Sequence, residues 1–121
     1  MTRTRRREAS AVIVGDRVYI FGGISDNEDN GIIQSVETNR VSNGWVEYED
    51  GYIIPDMPQP LTDLSAVLVS PEKIMVVGGG FQNTDTGFSS SQQVFYLHLD
   101  ERVWTRGPPL SVSCRSESRN Y

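Results

Sequence analysis

The chain is short of most of what catalysis and membrane insertion require. It contains one cysteine and one histidine. A single cysteine, Cys114, excludes an internal disulfide, and a single histidine, His98, excludes a metal site built on paired histidines within the chain. No apolar run approaches the ~18 residues that span a bilayer, and no Asn-x-Ser/Thr acceptor occurs. The start, Met1 to Arg7, has the charges of a secretory leader but not its apolar core, because Glu8 and an alternating pattern follow at once. These absences favour a reducing, intracellular and cytoplasmic setting without membrane contact. Apolar residues nowhere recur at helical spacing over a useful length, so the expectation is an all-β chain.

Charge is unevenly spread. The net charge is −5, yet residues 1–10 carry four arginines against one glutamate, and residues 101–121 four arginines against two glutamates. Between them Arg17, Arg40 and Lys73 face thirteen acids. So acidic a body repels phosphate, which argues against a nucleic-acid partner. The basic head reads as a solvated end.

What is present is a phrase written twice. Ser10-Ala11-Val12-Ile13-Val14, a turn and Val18-Tyr19-Ile20-Phe21-Gly22-Gly23 are answered by Ser65-Ala66-Val67-Leu68-Val69, a turn and Ile74-Met75-Val76-Val77-Gly78-Gly79. Each copy leads to a tryptophan, Trp45 and Trp104, and then to a proline-bearing stretch. A period of about 55 to 59 residues is the scale of stacked repeats or propeller blades. Such a unit cannot bury its apolar face alone and is completed by its neighbours. The chain therefore divides into a basic tail (1–7), two repeats (8–60 and 61–110) and a polar tail (111–121).

Within the first repeat, strands are expected over 8–14, 17–21, 32–38 and 45–48. Gly15-Asp16 suits a tight hairpin with glycine first. The second repeat predicts strands over 63–69, 73–77, 92–99 and 103–106. Both glycine pairs end a second strand, where positive φ and close backbone approach fit a crowded corner. The stretch 50–60, with three prolines, is a connector that cannot pair centrally.

Four short antiparallel strands per repeat, a double glycine after the second and a tryptophan in the fourth describe a propeller blade. On these residues the chain resembles the kelch repeat over 8–110. The matching set is Ser10-Ala11-Val12, Tyr19, Gly22, Gly23 and Trp45, then Ser65-Ala66-Val67, Gly78, Gly79, Trp104 and Pro108-Pro109-Leu110. It departs from the kelch pattern where Thr38 and Leu97 replace the tyrosine seven positions before the tryptophan, and where Asn39 and His98 replace the following aspartate. Two blades do not make a ring, since propellers have about four to eight. Each bare sheet face of roughly 250–300 Å² forgoes about 3–4 kcal/mol if half of it is apolar. The expectation is an incomplete propeller, either part of a longer one or completed by self-association.

The resemblance implies a non-catalytic adaptor that binds partner proteins through its loops, as in substrate receptors of cullin-type ubiquitin ligases. The alternative is part of a kelch-type enzyme, like a sialic-acid mutarotase or galactose oxidase. The loops 25–31 and 81–91 follow equivalent strands and differ most between copies, which marks Asp26, Glu28, Asp29, Phe81, Asn83, Asp85 and Phe88 as candidate partner-binding residues. The acidic first loop favours a basic motif. Asp26 to Gly31 with Glu37 approaches a calcium loop, but position three is glutamate and the flanks are strands, so a plain acidic loop is expected and no metal or cofactor is assigned. His98 reads as a strand histidine satisfied by backbone, Cys114 as an inert thiol, Trp45 and Trp104 as inter-blade packing, and Ser10 as packing rather than a phosphorylation site.

Overall fold

The computed structural model describes residues 6–25, 31–48, 52–83 and 87–110, with only the backbone of Glu47, Tyr48, Gln82, Asn83 and Phe88. Among them are eleven strands: β1 (Arg6–Arg7), β2 (Ser10–Val14), β3 (Arg17–Phe21), β4 (Ile24–Ser25), β5 (Val36–Ser42), β6 (Trp45–Tyr48), β7 (Thr62–Ser70), β8 (Lys73–Asn83), β9 (Gly87–Ser90), β10 (Val94–His98) and β11 (Val103–Arg106). There is no helix among these residues. Two antiparallel sheets carry the two repeats, in the orders β2-β3-β5-β6 and β7-β8-β10-β11, with β9 added to the far end of β8. These are two blades of an incomplete propeller, and the sheets do not close.

The repeat is kept at the level of register. Ser10, Ala11, Val12 and Ile13 pair with Phe21, Ile20, Tyr19 and Val18. Ser65, Ala66, Val67 and Leu68 pair likewise with Val77, Val76, Met75 and Ile74. Strand residues alternate between faces, so each blade has a serine flank (Ser10, Val12, Tyr19, Phe21; Ser65, Val67, Met75, Val77) and an alanine flank (Ala11, Ile13, Val18, Ile20; Ala66, Leu68, Ile74, Val76). The serine flank of the first blade meets the alanine flank of the second. Tyr19, Phe21, Ile74 and Val76 are buried in one cluster with Phe95 and Leu97. The Ala66 N–H donates to Ser10 Oγ at 3.1 Å, so the repeated serine stitches the inner strands together.

Glu8 and Asp63, which are repeat-equivalent, both adopt φ of 60°. That kink ends the first strand at Ser10 rather than at Glu8, and it lets the Asp63 N–H donate to the Glu8 carbonyl at 2.9 Å. Gly22 and Gly79 also stand at positive φ (63° and 88°). A Cβ on Gly22 would run into the Leu61 carbonyl and lie 2.6 Å from Leu64 Cδ2; on Gly79 it would lie 2.9 Å from the Thr62 carbonyl. The glycine pairs occupy the crowded corners expected of them. Strand β8, however, continues through Gly78 and Gly79 to Asn83 and folds back as β9. Part of the stretch 81–91 expected as loop is thus a hairpin.

Two expectations for the first repeat give way. Its third strand runs over Val36–Ser42, not 32–38, because Asn43 and Gly44 (φ 53° and 79°) make a two-residue hairpin turn that pins Ser42 opposite Trp45. Residues 31–35 serve the connector instead: Gln34 Nε2 donates to the Met57 carbonyl at 2.6 Å, and the Met57 N–H returns to the Gln34 carbonyl at 2.9 Å. Nor do the tryptophans correspond. Trp104 pairs with Leu97 across a four-residue turn, whereas the equivalent of Leu97 in the first blade, Asn39, pairs with Tyr48. Trp104 lies on the alanine flank and meets Phe21 edge-on at 6.1 Å. Trp45 lies on the other flank and is 75% exposed.

The basic head is also not wholly solvated. The Arg6 side chain is buried, donating to the carbonyls of Gly22 (2.9 Å) and Ser35 (3.1 Å) and lying 3.7 Å from the Glu37 carboxylate. It ion-pairs Glu37, which with Asn39 replaces the apolar Phe95 and Leu97 of the second blade.

Candidate functional site

Topology sorts the connections onto two ends. The short turns at 15–16, 43–44, 71–72 and 99–102 share one end. The segments after β3 and β8, the end of the connector from Met57 to Leu61 and the exit after β11 share the other, so most of the longer segments meet at the loop end.

The connector is clamped between blades. The Tyr52 ring lies between the guanidinium of Arg17 at 3.5 Å, from the first blade, and that of Arg102 at 4.0 Å, from the second. Guanidiniums are drawn to the negative face of an aromatic ring, and this stack bridges the two sheets. The Tyr52 hydroxyl hydrogen-bonds the Tyr19 hydroxyl at 3.2 Å. Burial first, and then this bond, hold the Tyr19 phenol well above its ordinary 10.0. Trp104 Nε1 donates to the Pro55 carbonyl at 2.9 Å, and the Gly23 N–H to that of Leu61 at 2.9 Å. Ile54, Met57 and Leu61 are buried beneath.

Held in this way, the connector forms one wall of a groove of about 630 Å³. Pro58 and Gln59 face Phe81, Ser90 and Ser91 of the second blade, with Gln92, Gln93 and Arg106 completing the lining. Ser91 is fixed by its N–H to the Gly79 carbonyl at 2.8 Å, and its Oγ accepts from the Gln93 N–H at 3.1 Å. The Arg106 guanidinium sits 5.5 Å from the Phe95 ring. The groove thus offers an aromatic side, a cation, and amide and hydroxyl groups able to donate and accept. That mixture suits an extended polypeptide.

Of the residues read from the sequence as partner-binding, Phe81 lines this groove and packs partly on the core. Asn83 pairs with Gly87, and Phe88 with Gln82, at the tip-ward end of the β8–β9 hairpin; their side chains lie outside the description. Asp26, Glu28, Asp29 and Asp85 lie outside the described residues, as does Cys114. Sequence reasoning did not find Pro58, Gln59 and Arg106. Apart from three prolines marking a connector, nothing in their spacing shows that residues almost fifty positions apart line one groove.

Chemistry-bearing residues elsewhere are engaged. His98 Nε2 contacts Thr105 Oγ1 at 2.8 Å at the turn end, a side-chain partner where backbone was expected. Glu37, the twelfth position of the calcium-like spacing, is buried, ion-paired to Arg6, and accepts from Asn39 Nδ2 at 3.1 Å. Among the described residues, no three His, Cys, Asp or Glu side chains are grouped to hold a metal, and no helix is long and apolar enough to cross a membrane.

Comparison with known proteins places a family model on this geometry. The kelch motif matches residues 5–38, from the N-terminal arginines through β2, β3 and the start of β5. The match ends before the Asn43-Gly44 turn that displaces Trp45. No curated protein matches the chain.

Proposed function

We propose that this chain is a non-catalytic protein-interaction module of propeller type, which takes its partner at the loop end of the blades. The observation that carries this reading is the groove between the clamped connector and the base of the β8–β9 hairpin. It is open, has walls from two segments fixed by hydrogen bonds, and presents Phe81 and Arg106 beside amide side chains. The kelch motif over 5–38 supports it, since propellers of this type often serve protein recognition. The partner is a polypeptide in extended conformation. An acidic side chain on it meets Arg106, and a basic one meets the acidic loop that contains Asp26, Glu28 and Asp29.

The test is binding of the whole chain to an array of short peptides of varied charge. Phe81→Ala and Arg106→Ala are expected to lower the signal of the bound peptides by about tenfold or more, the scale of losing one interface anchor. Replacing Asp26, Glu28 and Asp29 together by alanine weakens basic peptides and flattens their salt dependence. His98→Ala, at the turn end, leaves binding unchanged. Peptides that bind equally well to all of these variants would refute the assignment of the loop end.

A further inference from the structure

The two outer flanks of the pair are not like each other; they are like the two flanks that meet inside. The second blade presents its serine flank outward, with Ser65 exposed and Val67 47% exposed. Register makes these the equivalents of Ser10 and Val12, which line the internal contact. The first blade presents the inner-strand part of its alanine flank outward, with Ala11 exposed and Ile13 64% exposed, while Glu37 and Asn39 of β5 are buried on that flank. These correspond to Ala66 and Leu68. At the inner strands the molecule therefore displays, on opposite sides, counterparts of both halves of its internal contact.

We propose that the occupant of the open serine flank is a second copy of this chain, docking head to tail by its alanine flank. The internal contact supplies the geometry: Val67 and Met75 take the places of Val12 and Tyr19, against Ala11, Ile13 and Val18. Ser65 Oγ accepts from the Ala11 N–H of the incoming copy, as Ser10 Oγ accepts from Ala66 within the chain. Glu37, ion-paired to Arg6, and Asn39 confine the apolar part of the docking alanine flank to its inner strands β2 and β3. Facing it across the contact, the outer strands carry the hydrogen-bonded His98 and Thr105.

A heterologous contact of this kind repeats until it closes. With two blades per copy, rings of about four to eight blades contain two to four copies. One flank contact buries less than the roughly 500–600 Å² of two whole sheet faces, well under the ~1,200 Å² of a stable pair. The ring supplies a second contact to every copy, and the closing contact is intramolecular. Closed rings, not open chains, are the expected product.

Light scattering on the purified full chain across a dilution series tests this. The expected result is one species at two, three or four times 13.5 kDa, in equilibrium with monomer and without a ladder. Val67→Arg and Ile13→Arg alter exposed positions on opposite flanks, and each is expected to leave only monomer with an unchanged far-ultraviolet circular dichroism spectrum. Ile53→Arg, 73% exposed in the connector, retains the ring. A wild-type chain that is monomeric throughout, as it is if another protein's blade covers the flank, overturns the proposal. So does an open ladder of masses, or an oligomer lost with only one flank variant, which would mean that like flanks meet.

Discussion

The two tryptophans offer a matched test of the register. Trp104 is half-buried on the flank that enters the inter-blade core. It stands edge-on to Phe21 at 6.1 Å, and its indole N–H is held by the Pro55 carbonyl. Trp104→Ala removes about 2 kcal/mol of packing, half the cost of deleting a fully buried indole. The edge-to-face contact adds about 0.5–1 kcal/mol, and the hydrogen bond to the connector about 1. The total is about 3–4 kcal/mol. Trp45, 75% exposed and across the turn from Ser42, makes no comparable contact among the described residues, so Trp45→Ala should cost no more than about 0.5 kcal/mol. In urea, with a slope of about 1.5 kcal/mol/M, the first change lowers the midpoint by about 2 M and the second by a few tenths. Circular dichroism reads both at equal protein concentration. Fluorescence of Trp45→Phe, which leaves Trp104 as sole reporter, should be blue-shifted and should shift red on unfolding. Equal midpoint losses for the two alanine variants would refute the assignment of Tyr48, rather than Trp45, to the position of Trp104.

Two further outcomes follow from the same contacts. Gly15 and Gly22 share a positive φ (62° and 63°), but a Cβ on Gly15 meets no atom within 4 Å, while one on Gly22 meets the Leu61 carbonyl. Gly15→Ala should cost about 1 kcal/mol from backbone strain alone, and Gly22→Ala about 3 or more; denaturation midpoints that fall together would show that crowding at the corner is absent. Stability should also decline in alkali. Burial and the Tyr52 hydroxyl hold the Tyr19 phenol above its ordinary 10.0 in the folded chain, so the unfolded chain deprotonates first. The contribution is complete below about pH 10 and is lost as pH rises above that value. Tyr19→Phe should flatten the decline in urea midpoint between about pH 9 and 11, and identical slopes for the two proteins would remove Tyr19 as its source.

How much of this was legible in the sequence depends on whether a contact is local or repeated. The blades were legible because Ser10-Ala11-Val12 and Ser65-Ala66-Val67 sit at the same offset from their glycine pairs, and a repeated register needs no tertiary knowledge. The glycines were legible because a double glycine after a strand has few uses. The third strand of the first blade was misplaced because Ile32-Ile33 looked like strand material, while the decisive signal was Asn43-Gly44, a pair that closes a two-residue turn almost regardless of its surroundings. That same turn misled the count back from the tryptophan, since seven residues span a different number of ladder steps when one hairpin uses two turn residues and the other four. The groove was not legible, because Pro58-Gln59 and Arg106 come to line one groove only through the packing of the connector against the second blade.

Arg6 shows the limit most clearly. Its charge looked like that of a solvated tail, and only the pairing of β1 with β4 brings it to Glu37. A buried ion pair of this kind contributes little net stability, because desolvation offsets most of the attraction. Its consequence is one of specificity: the first blade's alanine flank is polar where the second blade's carries Phe95 and Leu97. An incoming blade seated on it could not bury an apolar surface across all four strands. The flank that faces inward and the flank that faces outward are built from the same repeat, yet a substitution at two positions, answered by one arginine thirty residues away, makes the outer one narrower and more selective.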